Sequence, residues 1–274
     1  MMADDRVKTA DDIISANRAY WSKRARTYSE SIRDDELTNE FHRIWFDTLN
    51  GFITERFPDK DPSRIHVLDI GTGPGFFSII LAEAGYQVTG IDLTPSMLLE
   101  ARKNAGPLVD AAADSSTGSI EFLEMNAEDL AFAEASFDVI VTRNLTWDLP
   151  HPKTAYTEWH RILAPGGLLL NFDANWYRYL FDDNARASYD EDRVNADAIG
   201  RYNENPDVDY GIMEEIAARI PLSSILRPDW DIDFLKGIGF DATSYKDIWK
   251  TVWSEEDKVA YASTPMFLVH AVKR

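Results

Sequence analysis

The sequence predicts a doubly wound α/β sheet, mostly parallel, on three observations. From residue 65 onward, short β-branched apolar runs alternate with helical stretches. The first of these runs ends in a glycine-rich turn. An aromatic, helically periodic segment precedes the sheet, and a stretch of different composition, residues 174–228, interrupts it.

The elements follow in order. Residues 11–57 read as helices, because Ile13, Ile14, Tyr20, Trp21, Tyr28 and Ile32, then Phe41, Ile44, Trp45, Phe46, Leu49 and Phe52, recur near every third or fourth position. Two prolines in the polar stretch 57–63 end that rhythm. Residues 65–70 are almost continuously apolar, as in a parallel strand covered on both faces. A helix is expected over 76–84, a strand over 87–91, and a helix over 95–104 that closes near Gly106-Pro107. An Ala/Ser/Asp-rich loop at 110–118 leads to strands at 120–125 and 137–142. A helix at 156–163, stopped by Pro165-Gly166-Gly167, precedes a strand at 168–172. After the interruption, which carries a helical patch at 212–219, a helix at 230–238 and strands at 242–249 and 265–272 complete the chain. The expected organisation is an N-terminal helical segment, residues 1–60, then one α/β domain, residues 61–274, with an insertion at about 174–228 folded over the sheet.

Composition narrows the function. In 274 residues, 28 Lys plus Arg stand against 47 Asp plus Glu, a net charge of −19 that disfavours nucleic acid and anionic membrane surfaces as partners. With no cysteine, the chain has no disulfide, thiolate zinc site or cysteine nucleophile of its own. Five histidines without HExxH spacing predict no metal site. Residues 1–12 lack the apolar core of a secretory signal, and no apolar run approaches the roughly 20 residues of a membrane span. The expectation is a soluble cytoplasmic protein.

The chemistry concentrates in four motifs. Val67-Leu68-Asp69-Ile70-Gly71-Thr72-Gly73-Pro74-Gly75-Phe76 places three glycines on alternate positions, so the chain turns sharply and a ligand can approach the backbone at a helix N-terminus. Phe76 stands where a dinucleotide-binding turn has its third glycine, which argues against a pyrophosphate ligand. Asp92 ends the second strand about 20 residues beyond the first glycine, at the distance from which an acid takes ribose hydroxyls. Thr94 precedes Pro95 as a capping candidate. Met125-Asn126-Ala127-Glu128-Asp129-Leu130, followed by residues 136–141, is the third motif, and Arg161-Ile162-Leu163-Ala164-Pro165-Gly166-Gly167 the fourth.

This set, in this order over residues 20–173, resembles the class I S-adenosylmethionine-dependent methyltransferases, in particular the small-molecule branch related to the ubiquinone-biosynthesis enzymes. The resemblance implies a Rossmann-like sheet of seven strands with an antiparallel last strand, a helical lid at 1–60, and S-adenosyl-L-methionine as cofactor. It implies that Asp69, Gly71, Thr72, Gly73 and Gly75 form the turn around the methionine moiety, although Asp69 could equally hold the loop alone. Asp92 would bind the ribose, with Leu93 and Met97 against the adenine. Asn126 and Ala127 would read its polar edge, Asn126 replacing the family's commoner Asp. Asn144 would turn its backbone carbonyl to the cofactor's amino group. Trp21 and Tyr28 lie in a segment similar to the family's aromatic-x-x-x-Ala-x-x-Tyr lid; for Trp21 a core position competes with the lid.

The implied reaction, in-line transfer of a methyl group to a small molecule, needs alignment, exclusion of water and, for a weak nucleophile, a base. Candidates fall at the C-terminal ends of the strands. His151 between two prolines is the best-placed histidine, its ordinary pKa of about 6.5 suiting a base, while Asp173 and Tyr177 could hydrogen-bond a substrate. His42, His66, His160 and His270 read as scaffold. In the insertion, Trp176, Tyr177, Tyr179, Phe181, Tyr189, Tyr202 and Tyr210 supply ring faces. Residues 173–215 hold twelve acids against four arginines, which predicts a cationic or aromatic amine acceptor, or else a solvated acidic cap. Two rival functions remain, a non-catalytic module that binds the cofactor and a nicotinamide-dependent dehydrogenase. The acceptor and the oligomeric state are not specified by the sequence.

Overall fold

The computed structural model describes residues 9–37, 40–108, 118–201 and 210–274. The start of the N-terminal segment, most of the Ala/Ser/Asp-rich loop, and Tyr202, Glu204, Asp207 and Asp209 of the insertion lie outside the described residues.

Thr9 and Asp12 form a reciprocal capping box that starts α1 (Ala10–Ile32), and α2 (Glu40–Arg56) follows. Strands and helices then alternate: β1 (His66–Ile70), α3 (Phe76–Glu83), β2 (Gln87–Asp92), α4 (Pro95–Ala105), β3 (Ser119–Glu124), β4 (Phe137–Arg143), α5 (Pro152–Ile162) and β5 (Leu163–Asp173). The insertion supplies α6 (Asp183–Ala198) and α7 (Tyr210–Ala217). The chain closes with α8 (Asp229–Gly237), β6 (Phe240–Tyr245), α9 (Trp249–Val252), α10 (Glu255–Ala260) and β7 (Phe267–Lys273).

The seven strands lie in the order β3-β2-β1-β4-β5-β7-β6, and β7 runs antiparallel to both neighbours. This is the seven-stranded, mostly parallel sheet with an antiparallel last strand that the sequence resemblance implied. The order reverses between β1 and β4, the point at which such sheets open a crevice at the strands' carboxyl ends.

Alternation along the strands feeds two layers. Val67, Val139, Leu168 and Leu170 face α2, α3 and α4, while Leu68, Ile140 and Leu169 face α5 and α8. Within the expected lid the two helices differ in role. Trp45, Leu49 and Ile53 of α2 are buried in the first layer, whereas Ile13 and Tyr20 of α1 pack with Trp147 and with Met213 and Ile216 of α7. Lid and cap thus share a third, smaller core.

Three boundaries differ from expectation. α5 begins at Pro152 rather than 156, proline at the first helical turn being favourable. β5 continues back through Gly166, at φ +74°, because Leu163 already pairs with Phe137 before the register shifts. β6 starts directly after Gly239, at φ +109°, and residues 249–252 are helical rather than strand.

Candidate active site

A cavity of about 800 Å³ opens at the carboxyl edge of the sheet, within the range for a small-molecule site. Its inner end is lined by Gly71, Gly73, Asp92, Leu93, Met97, Asn126, Ala127 and Asn144; α1 adds Trp21, Arg24 and Tyr28 to the cavity wall. The outer end runs under the cap past Trp147, Asp148, Trp176, Tyr177 and Tyr189 to Trp253 and Tyr261.

The glycine turn is built as a bracket for Asp92. Gly73, at φ +53°, donates its amide to Asp92 Oδ2 at 3.0 Å, and Thr94 donates its amide to Oδ1 at 2.8 Å. Burial raises the Asp92 carboxyl above the usual range. Each oxygen keeps acceptor capacity for a ligand hydroxyl. The Thr94 side chain makes no capping hydrogen bond, so its expected cap is only positional.

Asp69, Thr72 and Gly75 shape the turn from behind and do not line the cavity. Asp69 Oδ2 accepts from Thr72 Oγ1, Ser78 Oγ and the Ser78 amide, at 2.7, 2.8 and 3.0 Å. Burial pushes its carboxyl up to about 6 against the pull of those bonds. Of the two sequence readings of Asp69, loop-holding is the one this geometry serves. At Gly75, φ is +92° and a Cβ would stand 3.3 Å from the Ala101 backbone, so glycine permits the close approach of α4.

The expected carbonyl and amide contacts also have partners inside the protein. The Asn144 carbonyl accepts from Trp147 Nε1 at 2.9 Å and keeps one lone pair; its side-chain Oδ1 is buried without a partner. Asn144 itself sits at φ +55°, held by its amide bond to the Phe172 carbonyl at 2.8 Å. Asn126 Oδ1 accepts from the Glu128 amide at 3.0 Å, and the Ala127 carbonyl from Trp159 Nε1 at 2.9 Å. These groups fix the loop as well as facing the cavity.

The catalytic candidates separate sharply. Tyr177 lines the outer end, its ring 4.8 Å from that of Trp147, and burial raises its hydroxyl well above the ordinary value. His151 does not line the cavity: its ring is half exposed, and Nδ1 faces Glu128 Oε2 at 2.9 Å. Asp173 is fully buried, paired with Arg227 at 2.6 Å, and also accepts from the Thr146 hydroxyl and the Trp147 amide. Its lone pairs are spent inside the protein, so the substrate-binding reading of Asp173 is corrected to an internal structural one.

Asp148 is the residue that the sequence reading passed over. It lines the cavity, is 8% exposed, and accepts from Asn17 Nδ2 at 2.8 Å and Trp21 Nε1 at 3.0 Å, both on α1. No cation pairs with it among the described residues, and burial pushes its carboxyl up to about 7. Its only sequence signal was an acid just past the fourth strand, beside the histidine that drew attention.

The cap's charge is likewise corrected. Asp183, Asp190, Glu191 and Asp197 are exposed, and Asp192 is turned to Ser263. Among the described residues, the charged side chains that the cap sends to the cavity are Arg193 and Arg201. The acidic surface therefore gives no support to a cationic acceptor.

A methyltransferase-domain family model matches residues 68–171, the span that carries the glycine turn, Asp92 and Asn144. Over residues 68–171 the chain is thus similar to a methyltransferase domain. A ubiquinone/menaquinone biosynthesis C-methyltransferase, UbiE of Rhodopseudomonas palustris (strain HaA2), is 32% identical over 142 residues, which are 51% of this chain and 53% of that protein. The chain thus spans about half the length of the curated relatives it matches. Among solved structures, the fold is shared with the protein solved in complex with the Haloferax volcanii Trm112 methyltransferase activator, at TM-score 0.53 and 15% identity over 92% of this chain and 97% of that one. It is shared also with a Haemonchus contortus phosphoethanolamine N-methyltransferase bound to phosphomonomethylethanolamine and S-adenosylhomocysteine, at TM-score 0.53 and 17% identity over 82% and 52%. The matched residues supply the inner wall of the cavity; α1, the cap and residues 249–266 supply the rest.

Proposed function

We propose that the protein transfers a methyl group from S-adenosylmethionine to a small molecule held in the outer cavity. The carrying observation is one continuous cavity with two chemically distinct ends. The inner end offers acceptors for an aminoacyl nucleoside: the Asp92 oxygens for the ribose hydroxyls and the unpartnered Asn144 Oδ1 for an amine. Leu93, Met97 and Ala127 offer apolar wall for the base, and the Gly71 and Gly73 backbone borders the same space. These groups fit the cofactor. Phe76, 2% exposed beneath Arg143, fills the place that a dinucleotide's pyrophosphate turn needs open.

Bound there, S-adenosylmethionine supplies a methyl group already activated on a sulfonium. The chain's own work is alignment and exclusion of water: α1 and the cap close the cavity through the shared core of Ile13, Tyr20, Met213 and Ile216. Asp148 is the group placed to hold a proton, because a carboxyl at about 7 exchanges one readily at neutral pH. The relatives' names specify methylation of carbon in quinone biosynthesis; a flat acceptor of that size suits the aromatic outer end.

The test is transfer of label from methyl-tritiated cofactor into a metabolite extract. Label in an extractable small molecule supports the proposal. Cofactor binding without label in any fraction would favour a non-catalytic module. Asp92→Ala is expected to weaken cofactor binding by about 10- to 100-fold, as hydroxyls lose an ionised acceptor; an unchanged dissociation constant would remove Asp92 from the site.

A further inference from the structure

Resting on that reading of the cavity, the outer end specifies its acceptor by charge and shape. Four of the described cavity arginines have their charge or donors engaged. Arg18 pairs with Glu124, Arg143 with Glu36 and Arg201 with Asp257, while Arg193 donates to the Ala260 carbonyl. Arg24 differs. Its guanidinium stands 5.7 to 6.0 Å from the ring centroids of Tyr20, Trp21, Tyr28 and Tyr210, and no carboxylate among the described residues pairs with it. Its Nε is buried with no acceptor, a feature it shares with Arg193, whose guanidinium is otherwise held by the Ala260 carbonyl. Ring faces can hold a cation in place, and the Tyr20 hydroxyl accepts from it, but neither supplies a counter-charge.

A second orphan lies in the same wall. Trp176 Nε1 is buried without a partner, and Trp176 packs against the cluster that contains Tyr20 and Trp147. Both unpartnered groups are donors. The same cavity is lined by ring faces, among them Trp147, Tyr177, Trp253 and Tyr261. A partly buried guanidinium with no carboxylate paired to it leaves its charge available, and a ligand carboxylate meets it with charge-assisted, bidentate geometry.

We propose that the methyl acceptor is an aromatic acid, its ring between the aromatic walls and its carboxylate received by Arg24 and Trp176. Of the cap's described acids, which suggested a cationic acceptor, none lines the cavity.

The test is calorimetric titration of the full chain, saturated with S-adenosylhomocysteine, with three probes of one shape: indole-3-acetate, indole-3-acetamide and tryptamine. The expected result is binding of the acid at least ~10-fold tighter than of the amide or the amine, a gap on the scale of one charged hydrogen bond. Arg24→Met is expected to bring acid and amide to equal affinity while S-adenosylhomocysteine binds as before. Trp176→Phe, which keeps the ring and removes the N–H, should narrow the same gap and guards against an Arg24 variant that fails to fold. Preference for the amine, no binding of any probe, or an Arg24→Met loss confined to S-adenosylhomocysteine would overturn the proposal; in the last case Arg24 serves the cofactor's own carboxylate. Failure of the wild type to bind S-adenosylhomocysteine at all would instead count against the methyltransferase reading.

Discussion

Arg227→Met is expected to remove at least about 3–5 kcal/mol of folding stability, a large share of the roughly 5–15 kcal/mol that holds a domain together. Arg227 is the one cation in a buried network. Its guanidinium donates to Asp173 Oδ2 at 2.6 Å, to Asp231 Oδ1 and Oδ2 at 2.7 to 3.1 Å, and to Thr146 Oγ1 at 2.7 Å. Tyr156 donates its hydroxyl to Asp231, and Asn171 donates its amide to Tyr156 and to Thr146. Every charged side chain here is fully enclosed. Methionine would fill the space and leave two carboxylates buried without a counter-charge. Urea unfolding measures the loss. The triple variant Arg227→Met, Asp173→Asn, Asp231→Asn is expected to recover most of it, because the penalty comes from the stranded charge and not from the missing contacts. A single variant within about 1 kcal/mol of wild type would show that the network is not the strut behind the site.

Asp148→Asn gives up one of the two accepted hydrogen bonds, and its stability relative to wild type is expected to rise steadily with pH. A carboxyl whose folded pKa lies near 7 against about 3.8 unfolded is protonated in the fold and ionised in the open chain between those values. The folded state then binds more protons, so stability falls as pH climbs through that window. Below about 4 both states are protonated and the group contributes nothing; above about 7 the full penalty, on the order of 4 kcal/mol, is present. Asp69, at about 6, acts in the same direction and remains in the variant. Urea unfolding at pH 5, 6, 7 and 8 should therefore give a stability gap, variant minus wild type, that rises with pH. A gap independent of pH would show that Asp148 is not held as described. The same variant is expected to slow turnover about 100-fold if the carboxylate takes a proton from the acceptor.

Those two residues also mark where sequence reading stopped. The turn at 71–75 and Asp92 were legible because both are local. Alternate glycines permit positive φ, as at Gly71, Gly73 and Gly75, and Asp92 sits at a fixed interval beyond them. The mostly parallel, doubly wound sheet was legible because β-branched runs and helices alternate. Asp148 was not, since what makes it special is enclosure by Asn17 and Trp21, 131 and 127 positions away. Asp173 was placed correctly at a strand end, yet Arg227, 54 residues later, consumes it. The cap's acids were countable, but only the folded helix shows that its described acids stay off the cavity while Arg193 lines it. Composition gives the sum of charges, and packing gives their direction.

The central claim is that the inner end of the cavity, built from the glycine turn, Asp92 and Asn144, is an S-adenosylmethionine site. Calorimetric titration of the wild-type chain with S-adenosylhomocysteine tests it most directly, with NAD titrated in parallel. The account predicts saturable one-to-one binding of S-adenosylhomocysteine and none of NAD; tight binding of NAD with no heat from S-adenosylhomocysteine would contradict it.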